Sequence, residues 1–558
     1  MLGPACLMGN LVGLSLSGPT QLEGISMSSI TKRQFLQILG LGTASLGVSG
    51  LFGAGPAWAA ADAPDWAGLP DGAVPKSGGK LVYGQTYPNW DLGTSDRGEN
   101  PYYWIDLLTR SIWNPLVWID DDFNMRGELA QSWEPADETL TKWDFRLREG
   151  VMFHNGKEMT SQDVIDSMRS HIERKGSGFL NKWVVDVEAL GPYTVRFNLT
   201  APYAEFPFLL AEYRLVIFPS AATDVIGFEG IGTGPYKLVE IDNKRGFKAV
   251  RNENYWMAGR PFADEVEGYI VTTQTAINGL RAGQFNAVFN IDPTTAGQFE
   301  DAGALIHRAR GGDQFLLTMP KNMDMIWNDV RVRQALSLSI DREAINTIVY
   351  QDPGTWIGND SHMSGLNAEF LPREVALDIE KAKRLLAEAG HPNGITLPSI
   401  VYCPSFPEEP RIMAIIAESV KKAGIQLELK EIACDGFSAY GTAVNAPVGR
   451  PRRSLVGPRS PAINMGRMEP EVGVGENGGW AGPKADEYKA LYNATVAEPD
   501  LAKRTEMYHQ LQRIAQEDVP AIMLGGRRNM LAHMPNVKNL RAHSQNWSTR
   551  FDEFWIEG

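Results

Sequence analysis

The sequence predicts an α/β chain of several folding units, and three observations lead there. Residues 396–430 read strand, helix, strand; three further stretches read as capped amphipathic helices; and Trp143–Arg148 and Val195–Leu199 alternate apolar with polar residues. Alternation marks half-buried strands, and a strand–helix–strand run implies a parallel pair. A length of 558 residues suits two to four domains at ~100–200 residues each.

The elements follow in chain order. Residues 27–61 carry Lys32 and Arg33, then a charge-free, glycine-rich stretch ending in Ala57-Trp58-Ala59. Basic start, apolar middle and small-residue cleavage site spell a signal peptide, and the glycines make it too weakly apolar for a membrane helix. Met27 fits as initiator better than Met1, and the mature chain is expected to begin between Ala60 and Asp62, outside the cytoplasm. Leu81-Val82-Tyr83 is a candidate core strand. In Trp143–Arg148 the apolar Trp143, Phe145 and Leu147 share one face. Asn155-Gly156 supplies turn chemistry, and Thr160 with Asp163 three residues on opens a helix through Met168. Gly230-Ile231-Gly232-Thr233-Gly234-Pro235 runs into Tyr236-Lys237-Leu238. A dinucleotide fingerprint would open a helix and a P-loop would need Gly-Lys-Ser/Thr, so a tight turn entering a strand is expected instead.

In the second half Asp329 can cap a helix carrying Val332, Leu336 and Ile340. Asp378 can cap another, stopped by Gly390 and Pro392. Thr396–Cys403 reads as a strand, Glu408–Ala423 as a helix with Ile412, Ile415, Ile416 and Val420 inward, and Ile425–Lys430 as a second strand. Gly449–Pro461, dense in proline and arginine, reads as a solvated loop or as a cap attracting an anionic ligand. Asp500 opens a last long helix with Met507, Leu511 and Ile514 inward, ended by Pro520.

Composition narrows the function. The net charge of −14 repels phosphate backbones and anionic lipid, which argues against nucleic acid and membrane surfaces as partners. The three cysteines, Cys6, Cys403 and Cys434, form no C-x-x-C, and the eight histidines form no H-E-x-x-H. No metal site or cofactor is expected. Asp122–Gly127 begins like a calcium loop, but Arg126 takes a ligand position and Trp133 stands where the closing glutamate belongs.

Several stretches together resemble the bacterial extracellular solute-binding proteins of the peptide/nickel class (family 5), which serve ABC importers. They are Leu129–Glu134, Gly150–Lys157, Gly232–Leu238, Arg251–Trp256, Val332–Leu336, Ala382–Gly390, Asn477–Trp480 and Asp518–Pro520, in the family's order over roughly 80–558. Thr31-Lys32-Arg33-Gln34-Phe35-Leu36 is similar to a twin-arginine export motif, with Lys32 replacing the first arginine. The resemblance implies a two-lobed periplasmic-binding-protein (type II) fold with an extra subdomain in lobe one. We divide the chain into a signal region 1–61, lobe one at 62–315 with the subdomain at about 100–225, lobe two at 316–528, and a return to lobe one at 529–558. It further implies a monomeric, periplasmic binding protein, not an enzyme, that closes on a small solute and hands it to a membrane permease. The competing classes are an exported enzyme on the same fold and a protein presenting ligand to a chemoreceptor.

Ligand should sit at the carboxyl ends of the strands, between the lobes. The expected contacts are Tyr87, Asn89 and Trp90 after the first strand, Phe406 and Asp435 beyond the β-α-β strands, Arg467, and Trp480 in a glycine-rich loop; for both tryptophans core packing is the competing reading. Ile463–Pro470 lacks the aspartate and tryptophan with which peptide-binding relatives often anchor an amine, so a dipeptide fits poorly. A longer peptide, or a non-peptide ligand such as a glycoside or opine-like conjugate, stays open. Cys403 and Cys434 end neighbouring strands ~5 Å apart, close enough for a disulfide after export or else two buried thiols.

Overall fold

Alternation on the first strand decides where the first core lies. On β1 (Lys80–Gln85) Leu81 and Tyr83 are buried and Tyr83 packs against Phe247, Phe289 and Phe551. The computed structural model describes residues 69–86, 106–173, 178–220, 230–242, 245–321, 324–353, 355–374, 376–402, 407–431, 452–470, 479–545 and 548–558. All of them fall in one unit, Phe52–Gly558.

β1 is central in a seven-stranded sheet. On one side lie β10 (Glu265–Ile270), β9 (Gly246–Arg251) and β8 (Tyr236–Asp242); on the other lie β11 (Ala287–Phe289), β18 (Met530–His533) and β12 (Leu305–Arg308). β1 runs parallel to both β10 and β11, and β18 inserts antiparallel between β11 and β12. The chain thus completes its first sheet only after residue 529, and Val537–Lys538 (β19) and Trp555–Ile556 (β20) finish that lobe as a small ladder.

The subdomain carries the hairpin β2 (Val117–Ile119) and β3 (Met125–Gly127) and a four-stranded antiparallel sheet. Its strands are β4 (Ala130–Pro135), β5 (Lys142–Leu147), β7 (Thr194–Leu199) and β6 (Val184–Gly191), in that spatial order. Trp143, Phe145 and Leu147 are buried as the alternation predicts. The helix Ser161–Glu173 starts where Asp163 accepts the backbone N–H of Thr160 at 2.9 Å.

Lobe two is built on β13 (Asp313–Thr318), flanked antiparallel by β16 (Arg452–Val456) and β17 (Ala521–Arg527). The parallel pair β14 (Ile395–Tyr402) and β15 (Ile425–Glu431) brackets the helix Glu409–Lys421, which buries Ile412, Met413, Ile416 and Val420. Asp329, Asp378 and Asp500 each accept a first-turn backbone N–H of their helix, as expected. The helix from Asp329 stops at Ser339, so Ile340 lies beyond it in extended backbone. Of Gly449–Pro461, the described residues from Arg452 on are not a solvated loop: they begin with β16, and Arg459 is buried in an ion pair with Glu212. Four arginines and three prolines hide a strand whose partner lies far away in sequence.

The Gly230–Pro235 turn is a strut between subdomain and lobe one. Gly234 N–H donates to Ile112 O at 2.9 Å, Thr233 Oγ1 to Asn114 Oδ1 at 2.9 Å, and Trp113 Nε1 to Ile231 O at 3.1 Å. His154 sits in the turn with Nδ1 3.2 Å from Gly232 N and 3.3 Å from Gly230 O, and Nε2 3.0 Å from Gly234 O. A Cβ on Gly232 would meet Ile112 O at 2.0 Å and Trp113 Cδ1 at 2.6 Å. Backbone cannot yield as a side chain can, so Gly232→Ala should destabilise by about 2 kcal/mol or more. Gly297, with nothing within 4 Å, is the control and should tolerate alanine without loss. Equal melting temperatures for the two variants would refute the strut.

Candidate functional site

The chain crosses between the lobes twice, and the crossings lie side by side: Ala309 N–H donates to Asn529 O at 3.0 Å and Gly312 N–H to Arg527 O at 3.1 Å. The carboxyl ends of β1 and β11 open toward this junction. Thr86 N–H donates to Phe289 O (3.2 Å), and Thr86 Oγ1 to Asn290 O (2.6 Å). Asn290 takes a left-handed conformation (φ 58°), which asparagine tolerates better than most residues and which ends the strand.

Two carboxamides here stand out. Gln85 and Asn290 are buried, yet Gln85 Nε2 and both amide atoms of Asn290 meet no hydrogen-bond partner among the described residues. A buried amide without a partner costs about 1–3 kcal/mol, so such atoms accumulate where a ligand completes them.

Lobe two closes on this edge with the first turn of the helix Glu409–Lys421. Arg411 Nη2 bonds both carboxylate oxygens of Asp292, at 2.7 and 2.6 Å, across the lobes. Glu408, at the start of that helix, accepts from Arg527 Nε. Arg527 Nη1 also donates to Asn529 Oδ1 (2.7 Å) and lies 3.5 Å from Asp313 Oδ2. Asn529 in turn donates to the carbonyls of His543 and Ser544 in lobe one. Burial pushes the Asp313 carboxyl up to about 6 against the pull of Arg527 and Arg459.

A basic side adjoins. Arg459 forms a two-pronged pair with Glu212 of the subdomain, Nε–Oε2 2.6 Å and Nη2–Oε1 3.2 Å. Burial would raise Glu212, but Arg459, Arg214 and Arg467 together hold it down to about 2. Arg467, expected as a ligand contact, therefore stands beside this arginine group.

The other expected contacts divide sharply. Trp480 is in the core: it is buried, packs on Tyr488 with ring centroids 5.1 Å apart, and donates its indole N–H to Asp518 Oδ2 at 2.5 Å. The described residues thus show it in the packing role. Tyr87, Asn89, Trp90, Phe406 and Asp435, and the Cys403/Cys434 pair, lie outside the described residues; the segments carrying them leave directly from Thr86, Tyr402 and Glu431. Sequence reading missed Gln85, Asn290, Asp292, Glu408 and Arg411. An asparagine ending a strand two residues before Asp292-Pro293 was a usable signal; the partner of Arg411, 119 residues away, was not. Among the described residues no cluster of three His, Cys, Asp or Glu side chains is placed to hold a metal ion, and no helix is long and apolar enough to cross a membrane.

Residues 124–446 match the model of "Bacterial extracellular solute-binding proteins, family 5 Middle". Heme-binding protein A of Haemophilus influenzae is 24% identical over 473 residues, covering 77% of this chain and 84% of that protein. Glutathione-binding protein GsiB of Salmonella paratyphi A is 24% identical over 492 residues, covering 80% and 90%. The ABC-transporter-associated periplasmic binding protein DppA from Helicobacter pylori, solved with the peptide STSA, superposes with a TM-score of 0.72 at 20% identity over 87% of this chain and 99% of that one.

Asp313 makes the site's electrostatics testable. Its folded value is raised from 3.8 to about 6, so between those pH values the folded chain holds a proton that the unfolded chain has released. The stability it contributes is complete below pH ~4 and lost as pH rises through ~6. Asp313→Asn should match wild type in urea unfolding at pH 4 and gain on it at pH 7; parallel profiles would refute the shift.

Proposed function

Because this chain belongs to the bacterial extracellular solute-binding proteins, family 5, we propose that it captures a peptide or peptide-like solute between its lobes and delivers it to the permease of an ABC importer. It does so outside the cytoplasm and without chemical turnover. The supporting observation is the pair of buried carboxamides, Gln85 and Asn290, with unused hydrogen-bonding atoms at the strand ends where the lobes meet. A carboxamide offering donor and acceptor side by side complements an amide bond, and equally the hydroxyl-rich edge of an oligosaccharide-like solute. Two of the relatives bear names of peptide-like cargo, glutathione and the peptide STSA, and another is named for heme.

Charge supports a ligand with ends of both signs. Asp292, Asp313 and Glu408 gather with Arg411 and Arg527, and Arg459, Arg214 and Arg467 gather with Glu212, with Arg459 also acting on Asp313. A solute with a cationic and an anionic end meets groups of both signs there. Ligand touching both lobes stabilises the closed state by its difference in affinity, and moving a mostly open ensemble to mostly closed takes ~5 kcal/mol.

Titration calorimetry with glutathione and with free and end-capped tetrapeptides tests this. A free-ended compound should bind, its acetylated and amidated form should bind at least ~10-fold more weakly, and Asn290→Ala should cost ~10-fold, the worth of about one hydrogen bond. Unchanged affinity in Asn290→Ala would remove the carboxamides from the site; turnover of a bound compound would favour the exported-enzyme reading.

A further inference from the structure

A segment of the subdomain ties lobe one to lobe two away from the covalent crossings. Residues 203–212 surround the short helix Phe206–Leu209, and every polar group the structure shows reaching from it into lobe two is buried. Glu205 accepts three donors from two lobe-two helices: Tyr508 Oη at 2.9 Å, Ala462 N–H at 3.2 Å and Arg504 Nε at 3.3 Å. Glu212 takes both prongs of Arg459. Ala204 N–H donates to Val496 O at 2.7 Å. A little upstream, Lys182 pairs with Glu469 and lies over the Tyr492 ring, 5.2 Å from its centroid. Between these polar ties, Tyr203, Phe206 and Leu209 share one apolar cluster with Ile463, Tyr492, Val496, Tyr508 and Leu511.

We propose that residues 203–212 form a built-in latch that holds the lobes closed, so that closure is set by the protein as well as by its solute. The inference rests on the solute-binding reading for its biological meaning but not for its test. Glu205 and Glu212 are seven residues apart, one at each end of the inserted turn, and each meets an arginine from a different lobe-two element. Separating the lobes must break both pairs and expose the aromatic seam together. With closure already favoured, a solute spends little of its binding free energy on moving the lobes, and removing the latch weakens apparent affinity by the fraction of closed protein lost.

Small-angle scattering of the purified protein without any solute is the test. Wild type should give a radius of gyration near ~23 Å, as a compact chain of this size does. The Glu205→Gln/Glu212→Gln double variant should expand by about 1 Å, as hinge opening separates two lobes, and should bind any cognate solute ~10-fold or more weakly. Equal radii for wild type and variant, or a wild type as expanded as the variant, would overturn the latch. If circular dichroism shows the double variant unfolded, Tyr508→Phe and Lys182→Gln carry the comparison; they should shift the radius in the same direction, and no shift in either would overturn it. Failure to find a solute leaves this outcome unaffected, because the radii are measured without one.

Discussion

Two glycine-bearing crossings packed against one tryptophan are the constraint on which the rest depends. A Cβ on Gly526 would meet Trp356 Nε1 at 2.4 Å, one on Gly312 would meet Pro458 Cγ at 2.5 Å, and Trp356 Nε1 donates to Gly311 O at 2.7 Å. Between the strands themselves, a Cβ on Gly526 would lie 3.0 Å from Gly311 O and one on Gly311 would lie 3.2 Å from Gly526 O, so side chains there would crowd the approach. That approach lets β13 and β17 pair in lobe two while β12 and β18 pair in lobe one, so a chain that leaves the first sheet at residue 308 can re-enter it at 530. Arg527 sits at the joint and ties one crossing to the helix Glu409–Lys421 through Glu408 and to lobe one through Asn529. A guanidinium suits this place because its rigid fork serves several acceptors at once and stays charged when buried.

The site follows from this geometry. Parallel strands bring β1 and β11 to one edge with their last residues side by side, and backbone groups beyond the final ladder bond need partners. Thr86 satisfies some of them on Asn290, and the helix Glu409–Lys421 arrives from the other lobe to place Arg411 on Asp292. The amides of Gln85 and Asn290 are left over. Polar groups gathered at a joint between two bodies are expensive in a permanent core and useful in a crevice that a solute fills.

Much of the fold was legible in sequence because its signals were local. The caps at Asp329, Asp378 and Asp500, the alternation of Trp143–Leu147 and the β14–helix–β15 unit each lie within a few turns or strands. What escaped was non-local. β17, Ala521–Arg527, is buried along its whole length, so no alternation announced it, and β16 is a strand only because β13 pairs with it. Arg459 reads as a solvated charge until Glu212, 247 residues away, is placed beside it. Trp480 looked exposed beside glycines; the acceptor for its indole N–H, Asp518, ends another helix. On the last helix, Tyr508 takes the core position that the periodicity assigned to the half-buried Met507.

The two junctions between the lobes differ in how they resist opening. The crossings are backbone, and rotation about a few extended residues leaves their hydrogen bonds in place. The Glu205–Glu212 junction is made of side chains and must come apart as a unit. Its ion pairs recover hydration when separated, so their net resistance is far smaller than their attraction in the interior suggests. The apolar seam recovers nothing: at ~25 cal/mol per Å², each aromatic ring that opening exposes costs on the order of 1.5–3 kcal/mol. Polar pairs at Glu205 and Glu212 therefore set the register in which the lobes meet, and losing either carboxylate leaves its arginine charged in the closed junction without that counter-charge; Tyr203, Phe206 and Leu209 add the apolar share of the cost of parting. A joint so divided can be loosened by altering one neutral side chain without disturbing the alignment that the charges impose.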